Sequence, residues 1–263
     1  MYLIASTVRQ VRSKVGGRLR RSALWPTYPP KRLKDLAPLG RRDGGPTVAL
    51  TFDDGPDPLT TPHVLDVLSR AGVSATFFMC GRPADRYRSL VAEVVAEGHT
   101  LGGHTWDHPE LPSLSKADWS LQVERTQGLL GDLSGAPVRY FRPPRGKVSR
   151  PLLAWLARRD LIPVLWSAHG RDWEQTEPDA IVTQVVSMLD PSAIVLLHDG
   201  VGDLLPPGAV LPAGCHGEPI HTAAALPYLL DAVSQAGYQP APLPRLPPVT
   251  GRRLHARARF LPR

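Results

Sequence analysis

Residues 48–56 read VALTFDDGP. The first five, VALTF, lack the polar–apolar alternation of a half-exposed strand and match a strand buried on both faces. Two adjacent aspartates stand where that strand ends, ahead of Gly-Pro. A DDG triplet alone is a turn signal, because Asp caps its own backbone and Gly accepts positive φ. The alternative is a pair of carboxylates with separate tasks.

Outward from this stretch, a strand–helix unit recurs. Thr61-Pro62 reads as N-cap and first-turn proline, and Val64, Leu65, Val67 and Leu68 give the helix an apolar face that stops at Gly72. SATFFMC (74–80) is a second strand, 84–97 a helix ending at Gly98, and 100–103 a third strand. Ser115 to Asp118 resembles a capping box ahead of a helix to about residue 132. VRYFR (138–142), a helix over 149–159, IPVLW (162–166), a helix over 178–189, AIVLL (193–197), a helix over 222–236 and a last short strand at 238–240 complete the series. About seven such units imply parallel strands with crossover helices, in an open sheet or a closed barrel. No GxGxxG follows the first strand, which argues against a dinucleotide fold.

The formal charge of +7 is unevenly placed. Residues 1–45 hold 11 Lys/Arg against 2 acids, and residues 245–263 hold 6 Arg and no acid. The middle therefore carries 31 − 11 − 6 = 14 basic and 24 − 2 = 22 acidic residues, a net of −8. A nucleic-acid enzyme would carry its basic charge across the working face, so no nucleic-acid partner is expected. The organisation read here is a basic N-terminal extension (1–45), a central domain (46–240) and a Pro/Arg-rich tail (241–263). In 1–21, Ile4, Val8, Val11, Val15 and Leu19 recur at helical spacing among basic residues. That pattern fits weak contact with an anionic membrane surface or a solvated tail, and five aliphatics make a thin face. No apolar run is long enough to span a membrane, and the start lacks a signal-peptide pattern. A monomer, cytoplasmic or peripheral to the membrane, is the expectation. Two cysteines make no disulfide framework, and Cys80 reads as a small core hydrophobe.

In either parallel architecture the working residues lie just past the C-terminal ends of strands. Five polar clusters do so: Asp53 and Asp54; His104 and His108 in GHTWDHP; Arg142 in FRPPRG; Asp172 and Trp173 in WSAHGRDW; and His198 in IVLLHDG. Singly, each has an ordinary explanation as a turn, a surface histidine or a satisfied core histidine. Jointly they suggest chemistry. Two histidines four apart can present imidazoles to one cation, and one Asp completes a His₂-carboxylate set with open positions. Neighbours on an extended segment point different ways, so one aspartate could reach the metal while the other stays free as a base. His99 reads as structural. Cys215, His216 and His221 follow no trusted metal spacing. The Pro/Gly-rich stretch 200–221 is long for a connection and is expected to rim the substrate cleft.

With these five motifs in order over about residues 46–240, the chain resembles the polysaccharide deacetylases of the NodB-homology type, carbohydrate esterase family 4. The resemblance implies a distorted (β/α) barrel of about seven units and removal of N-acetyl groups from N-acetylated sugars. It implies Asp53 as catalytic base, and Asp54, His104 and His108 as ligands of one divalent metal. Zinc is the first choice, with cobalt, nickel or manganese as alternatives. It implies Arg142 as partner of the base, the Arg145 backbone N–H as oxyanion donor beside Pro144, and His198 as general acid with Asp172 as its partner. Trp173 and Leu196 would wall the acetyl pocket. Two departures concern substrate choice: the family often has Tyr or Phe at Arg145, and often Asp at His169 with Asn at Gly103. A small or lipid-linked amino sugar is the alternative substrate, and a non-catalytic carbohydrate-binding relic the third reading.

Overall fold

The computed structural model describes residues 46–200 and 219–246. The basic stretch 1–21, residues 201–218 with Cys215 and His216, and the tail beyond 246 lie outside the described residues.

The strands are β1 (Thr47–Asp53), β2 (Thr76–Met79), β3 (Thr100–Gly103), β4 (Tyr140–Phe141), β5 (Ile162–Pro163), β6 (Ala168–His169), β7 (Ile194–His198) and β8 (Gln239–Ala241). All pair in parallel, in the order β5-β4-β3-β2-β1-β7-β6. β8 pairs with β1 over Thr47–Ala49. Ala49 is paired with both Ile194 and Ala241, so β8 must lie on the β2 side of β1, below β2. Among the described residues nothing pairs β5 with β6. The sheet is therefore a distorted (β/α) barrel, curled but not closed.

The connecting helices are α1 (Thr61–Ala71), α2 (Gly81–Arg86), α3 (Arg88–Ala96), α4 (Lys116–Ser134), α5 (Arg150–Arg158), α6 (Pro178–Val186) and α7 (Pro219–Gln235). Among the described residues no helix is long and apolar enough to cross a membrane. The main core joins Leu50 and Phe52 of β1, Phe77 of β2, Val195 and Leu197 of β7, Leu65 and Leu68 of α1, and Leu226 and Leu229 of α7. The VALTF run is buried throughout, as its unbroken apolar character requires.

Three local readings need correction. The helix expected over 84–97 is two helices, broken at Tyr87, whose φ of −114° and ψ of 50° leave the α region. The N-cap of α1 is Thr60 rather than Thr61. The Thr61 hydroxyl instead accepts from Asp57 N–H at 2.8 Å and donates to Asp199 Oδ2 at 2.7 Å. The single strand expected over 162–166 is β5 followed, across 164–167, by β6 on the opposite edge of the sheet. There the guanidinium of Arg142 takes the Val164 carbonyl on Nε at 3.3 Å and the Leu165 carbonyl on Nη2 at 3.4 Å. These carbonyls serve a buried charge instead of a ladder, and the chain crosses the open seam without a helix. Ser115, by contrast, caps α4 as expected, accepting from Asp118 N–H at 3.3 Å.

Candidate active site

The C-terminal ends of five strands converge. Asp53 closes β1 and pairs in register with His198 at the end of β7. His104 follows β3, its N–H donating to Met79 C=O at 2.8 Å. Arg142 follows β4, its N–H donating to Gly103 C=O at 2.9 Å. Asp172 lies beyond β6.

Asp54 has a left-handed φ of 75°. The expectation that the two aspartates point apart, as on an extended segment, is therefore not met. The turn swings Asp54 back toward the cleft. His104 Nε2 ends 3.6 Å from Asp53 Oδ2 and 3.3 Å from Asp54 Oδ1. His108 Nε2 lies 3.5 Å from Asp54 Oδ1. One donor atom each from Asp54, His104 and His108 lie within 4.8 Å of one another.

The donor set suits a cation. His104 Nδ1 is 2.7 Å from the Arg142 carbonyl oxygen. That oxygen can only accept, so Nδ1 carries the proton, and in its neutral form the ring turns the lone pair of Nε2 toward Asp54. Asp54 Oδ1 is buried without a hydrogen-bond partner. Acceptors facing one another in a buried place are unfavourable unless a positive charge lies among them. Two imidazoles and a carboxylate, with the other ring nitrogen of one histidine held by a carbonyl, are the ligand chemistry of zinc and related divalent ions. Burial alone would raise Asp54, but His108 and then His104 outweigh it and hold its carboxyl well below the usual range. Burial also opposes charge on both histidines. At His104 the two aspartates outweigh it and the pKa rises, whereas at His108 burial prevails and the pKa falls.

On one side of this cluster, Arg142 Nη1 donates to Asp53 Oδ1 at 2.6 Å and to Thr51 Oγ1 at 2.8 Å. The arginine is 0% exposed, and its guanidinium lies 4.1 Å from the Phe78 ring centroid. Burial lowers its pKa, against the pull of Asp53, but arginine stays charged at any pH of interest. On the other side, His198 Nδ1 meets Asp172 Oδ1 at 2.9 Å, and Asp172 Oδ2 accepts from His198 N–H and Thr222 Oγ1, each at 2.7 Å. Burial would lower His198, but the charge and hydrogen bond of Asp172 raise it to about 10. Trp173 packs edge-on against His198 with ring centroids 5.4 Å apart, and Leu196 is buried one residue along from its neighbour Leu197 on β7. Pro144 is buried in a 3₁₀ turn, and Arg145 sits in the same turn at φ 54°. The Arg145 side chain points to solvent and bonds Glu110 at 3.0 Å, beside Lys147 on the same carboxylate at 2.8 Å.

The sequence-predicted residues thus gather at one end of the barrel. Four supporting residues were not anticipated. Thr222 orients Asp172, and Thr61 bonds Asp199. Asp199 donates its N–H to Asp53 C=O at 3.1 Å. It is fully buried, and burial pushes its carboxyl up to about 7 against the hydrogen bond from Thr61. Gln122 braces the loop between the two histidines. Only the quoted motif IVLLHDG hinted at Asp199.

Comparison with known proteins identifies the family. The model of the family described as polysaccharide deacetylase matches residues 40–161. A Bradyrhizobium chitooligosaccharide deacetylase is 38% identical over 208 residues, covering 79% of this chain and 93% of that protein. The chain belongs to the polysaccharide deacetylase family. Among solved structures, a family 4 carbohydrate esterase from Streptomyces lividans, in complex with acetate, superposes with a TM-score of 0.63 at 31% identity, covering 75% of this chain and 92% of that one. A family 4 pseudoenzyme from Bacillus anthracis shares the fold at a TM-score of 0.66 and 23% identity, covering 80% of this chain and 69% of that one. The polysaccharide deacetylase fold therefore does not by itself decide activity, and side-chain chemistry must carry that argument.

Proposed function

We propose that this protein hydrolyses the N-acetyl amide of N-acetylated sugars, in oligosaccharides or polysaccharides, with the help of one divalent metal. The single observation that carries the reading is the buried acceptor cluster of Asp54, His104 and His108, flanked by the Asp53–Arg142 and His198–Asp172 pairs. The similarity to a chitooligosaccharide deacetylase over 93% of that protein's length supports the same substrate class.

An ion held by Asp54, His104 and His108, zinc as first choice, would act as a Lewis acid and lower the pKa of water bound to it. Asp53, its Oδ1 held by the guanidinium of Arg142, takes a proton from the attacking water. The new C–O bond makes a tetrahedral centre whose oxyanion the backbone N–H of Arg145 stabilises. The C–N bond then breaks as His198 gives its Nε2 proton to the departing nitrogen; without it the leaving group would be a strongly basic amide anion. Acetate and a free amine result. Pro144 fixes the turn carrying the oxyanion donor, and Trp173 and Leu196 enclose the acetyl methyl.

The test is acetate release from N-acetylated chito-oligosaccharides by protein reconstituted with zinc or cobalt, beside Asp53→Asn. Release by the parent protein, reduced by roughly 10²–10⁴-fold in the variant, is expected. Equal release from both would remove Asp53 as base. No release from the parent, with one equivalent of metal bound, would refute this substrate class.

A further inference from the structure

The segment between the two histidines, Thr105-Trp106-Asp107, has to turn sharply to bring His108 back beside His104. It does so with two non-glycine residues in the left-handed region, Thr105 at φ 69° and His108 at φ 57°. The left-handed region crowds Cβ against the following carbonyl oxygen in any residue but glycine, so the loop does not hold this shape on backbone preference alone.

Its anchor comes from a different element. The side-chain Oε1 of Gln122, on α4, accepts both interior N–H groups of the loop, from Trp106 and from Asp107, each at 2.9 Å. Its Nε2 donates to Asp107 Oδ2 at 3.1 Å. One amide thus saturates the turn with three hydrogen bonds. Arg82 of α2 holds the other Asp107 oxygen. Thr105 Oγ1 accepts from His108 N–H at 3.1 Å. Trp106 is trapped between Gly81, where a Cβ would run into its ring, and the guanidinium of Arg125, 3.4 Å from its ring centroid. Arg125 and Gln122 are one helical turn apart on α4.

We infer that Gln122 is a positioning residue for the two-histidine metal site. It sets the distance between His104 and His108 before the ion arrives, so that little binding energy goes into bending the loop. This inference rests on the metal-site reading above. Groups that orient ligands without touching the metal typically change affinity by roughly 10–100-fold when removed.

The experiment measures zinc and cobalt dissociation constants by chelator competition, and the visible spectrum of the cobalt form, on the full chain. Gln122→Met keeps length and bulk but loses all three hydrogen bonds. Gln122→Glu keeps the acceptor for both N–H groups but loses the donor to Asp107. Ser115→Ala is the control: it removes the N-cap of the same helix and so weakens the helix without touching the loop. Gln122→Met should bind both ions about 10–100-fold more weakly and alter the cobalt spectrum. Gln122→Glu should fall between it and the parent, and Ser115→Ala should bind as the parent does. Parent-like affinity and spectrum in Gln122→Met would overturn the inference, as would equal weakening in Gln122→Met and Ser115→Ala, which would reduce the effect to helix stability. Should Gln122→Met not fold, the same comparison is read on Gln122→Glu, and parent-like binding there overturns it. A parent protein that binds neither ion overturns the metal site itself, an outcome distinct from all of these.

Discussion

At the scale of single residues, the site depends on who holds whom. Asp172 carries three donors on two oxygens: His198 Nδ1–H on one, His198 N–H and Thr222 Oγ1 on the other. Asp172→Asn cannot reproduce this, because an amide nitrogen in either orientation faces a donor. Histidine ordinarily titrates at 6.5, and here His198 is raised to about 10. The acid form therefore persists in the folded protein through neutral pH and is lost as pH rises through the folded value. In Asp172→Asn the alkaline limb of kcat/KM should move toward lower pH, with a rate loss of roughly 10²–10⁴-fold. Stability follows the same sign: the pair's contribution is complete below pH 6.5 and gone above about 10. The Tm gap between parent and variant should be widest at pH 6 and narrow steadily toward pH 10, which a calorimetric pH series would check. A gap independent of pH would detach Asp172 from His198. The residues proposed to do the chemistry were legible in the sequence because that chemistry restricts residue type: carboxylates for a base, imidazoles for a metal, each just past a strand. Thr222, Thr61 and Gln122 were not, because a hydroxyl or amide acquires its role only from a partner tens of residues away.

At the scale of elements, the turn after β1 is held from β7. Gly55 lies so close to the Asp199 carboxyl that an added Cβ would overlap it. Asp199 in turn bonds Thr61 of α1 and the Asp53 carbonyl. Gly55 thus allows the aspartate pair to sit against the end of β7, beside His198. Gly55→Ala should push the turn away from Asp199, costing about 1–3 kcal/mol as overpacking in a tight site. It should also weaken metal binding through displacement of Asp54. Coupling to Asp199 distinguishes this cause from a general turn defect. In Gly55→Ala/Asp199→Ala the carboxyl is gone, so the double variant should be less destabilised than the sum of the singles, by about 0.5–3 kcal/mol, as read from urea unfolding. Strict additivity would place the strain elsewhere. Element boundaries were legible where periodicity and caps ruled, as at Gly72, Ser115 and Ser149. They failed where a tertiary partner took over the backbone. The strand read at 162–166 is cut short because its carbonyls answer to Arg142, a residue whose burial no local pattern announces.

At the scale of the whole molecule, stability and chemistry occupy opposite ends of the barrel. The site lies at the C-terminal ends of the strands. The other end is closed by the chain after β8. Leu243 N–H donates to Thr76 Oγ1 at 2.8 Å, and the Tyr140 hydroxyl donates to the Pro244 carbonyl at 2.7 Å. Leu243 lies past the domain end read at residue 240, yet it is 0% exposed and packs with Ala49, Phe78, Tyr140, Ile162, Val164 and Ile194. These come from β1, β2, β4, β5, the residue just past β5, and β7, so one side chain plugs an end that strand pairing leaves unsealed. Leu243→Ala should cost about 2–5 kcal/mol, the range for emptying a buried leucine site. Phe78 of this cluster also faces the Arg142 guanidinium, but the cluster includes none of Asp54, His104 and His108, so metal affinity and KM measured well below the lowered Tm should match the parent. A weakened metal site in Leu243→Ala, with Tm barely changed, would show the two ends to be coupled through β1, the strand that carries both Ala49 and Asp53 and leads into Asp54.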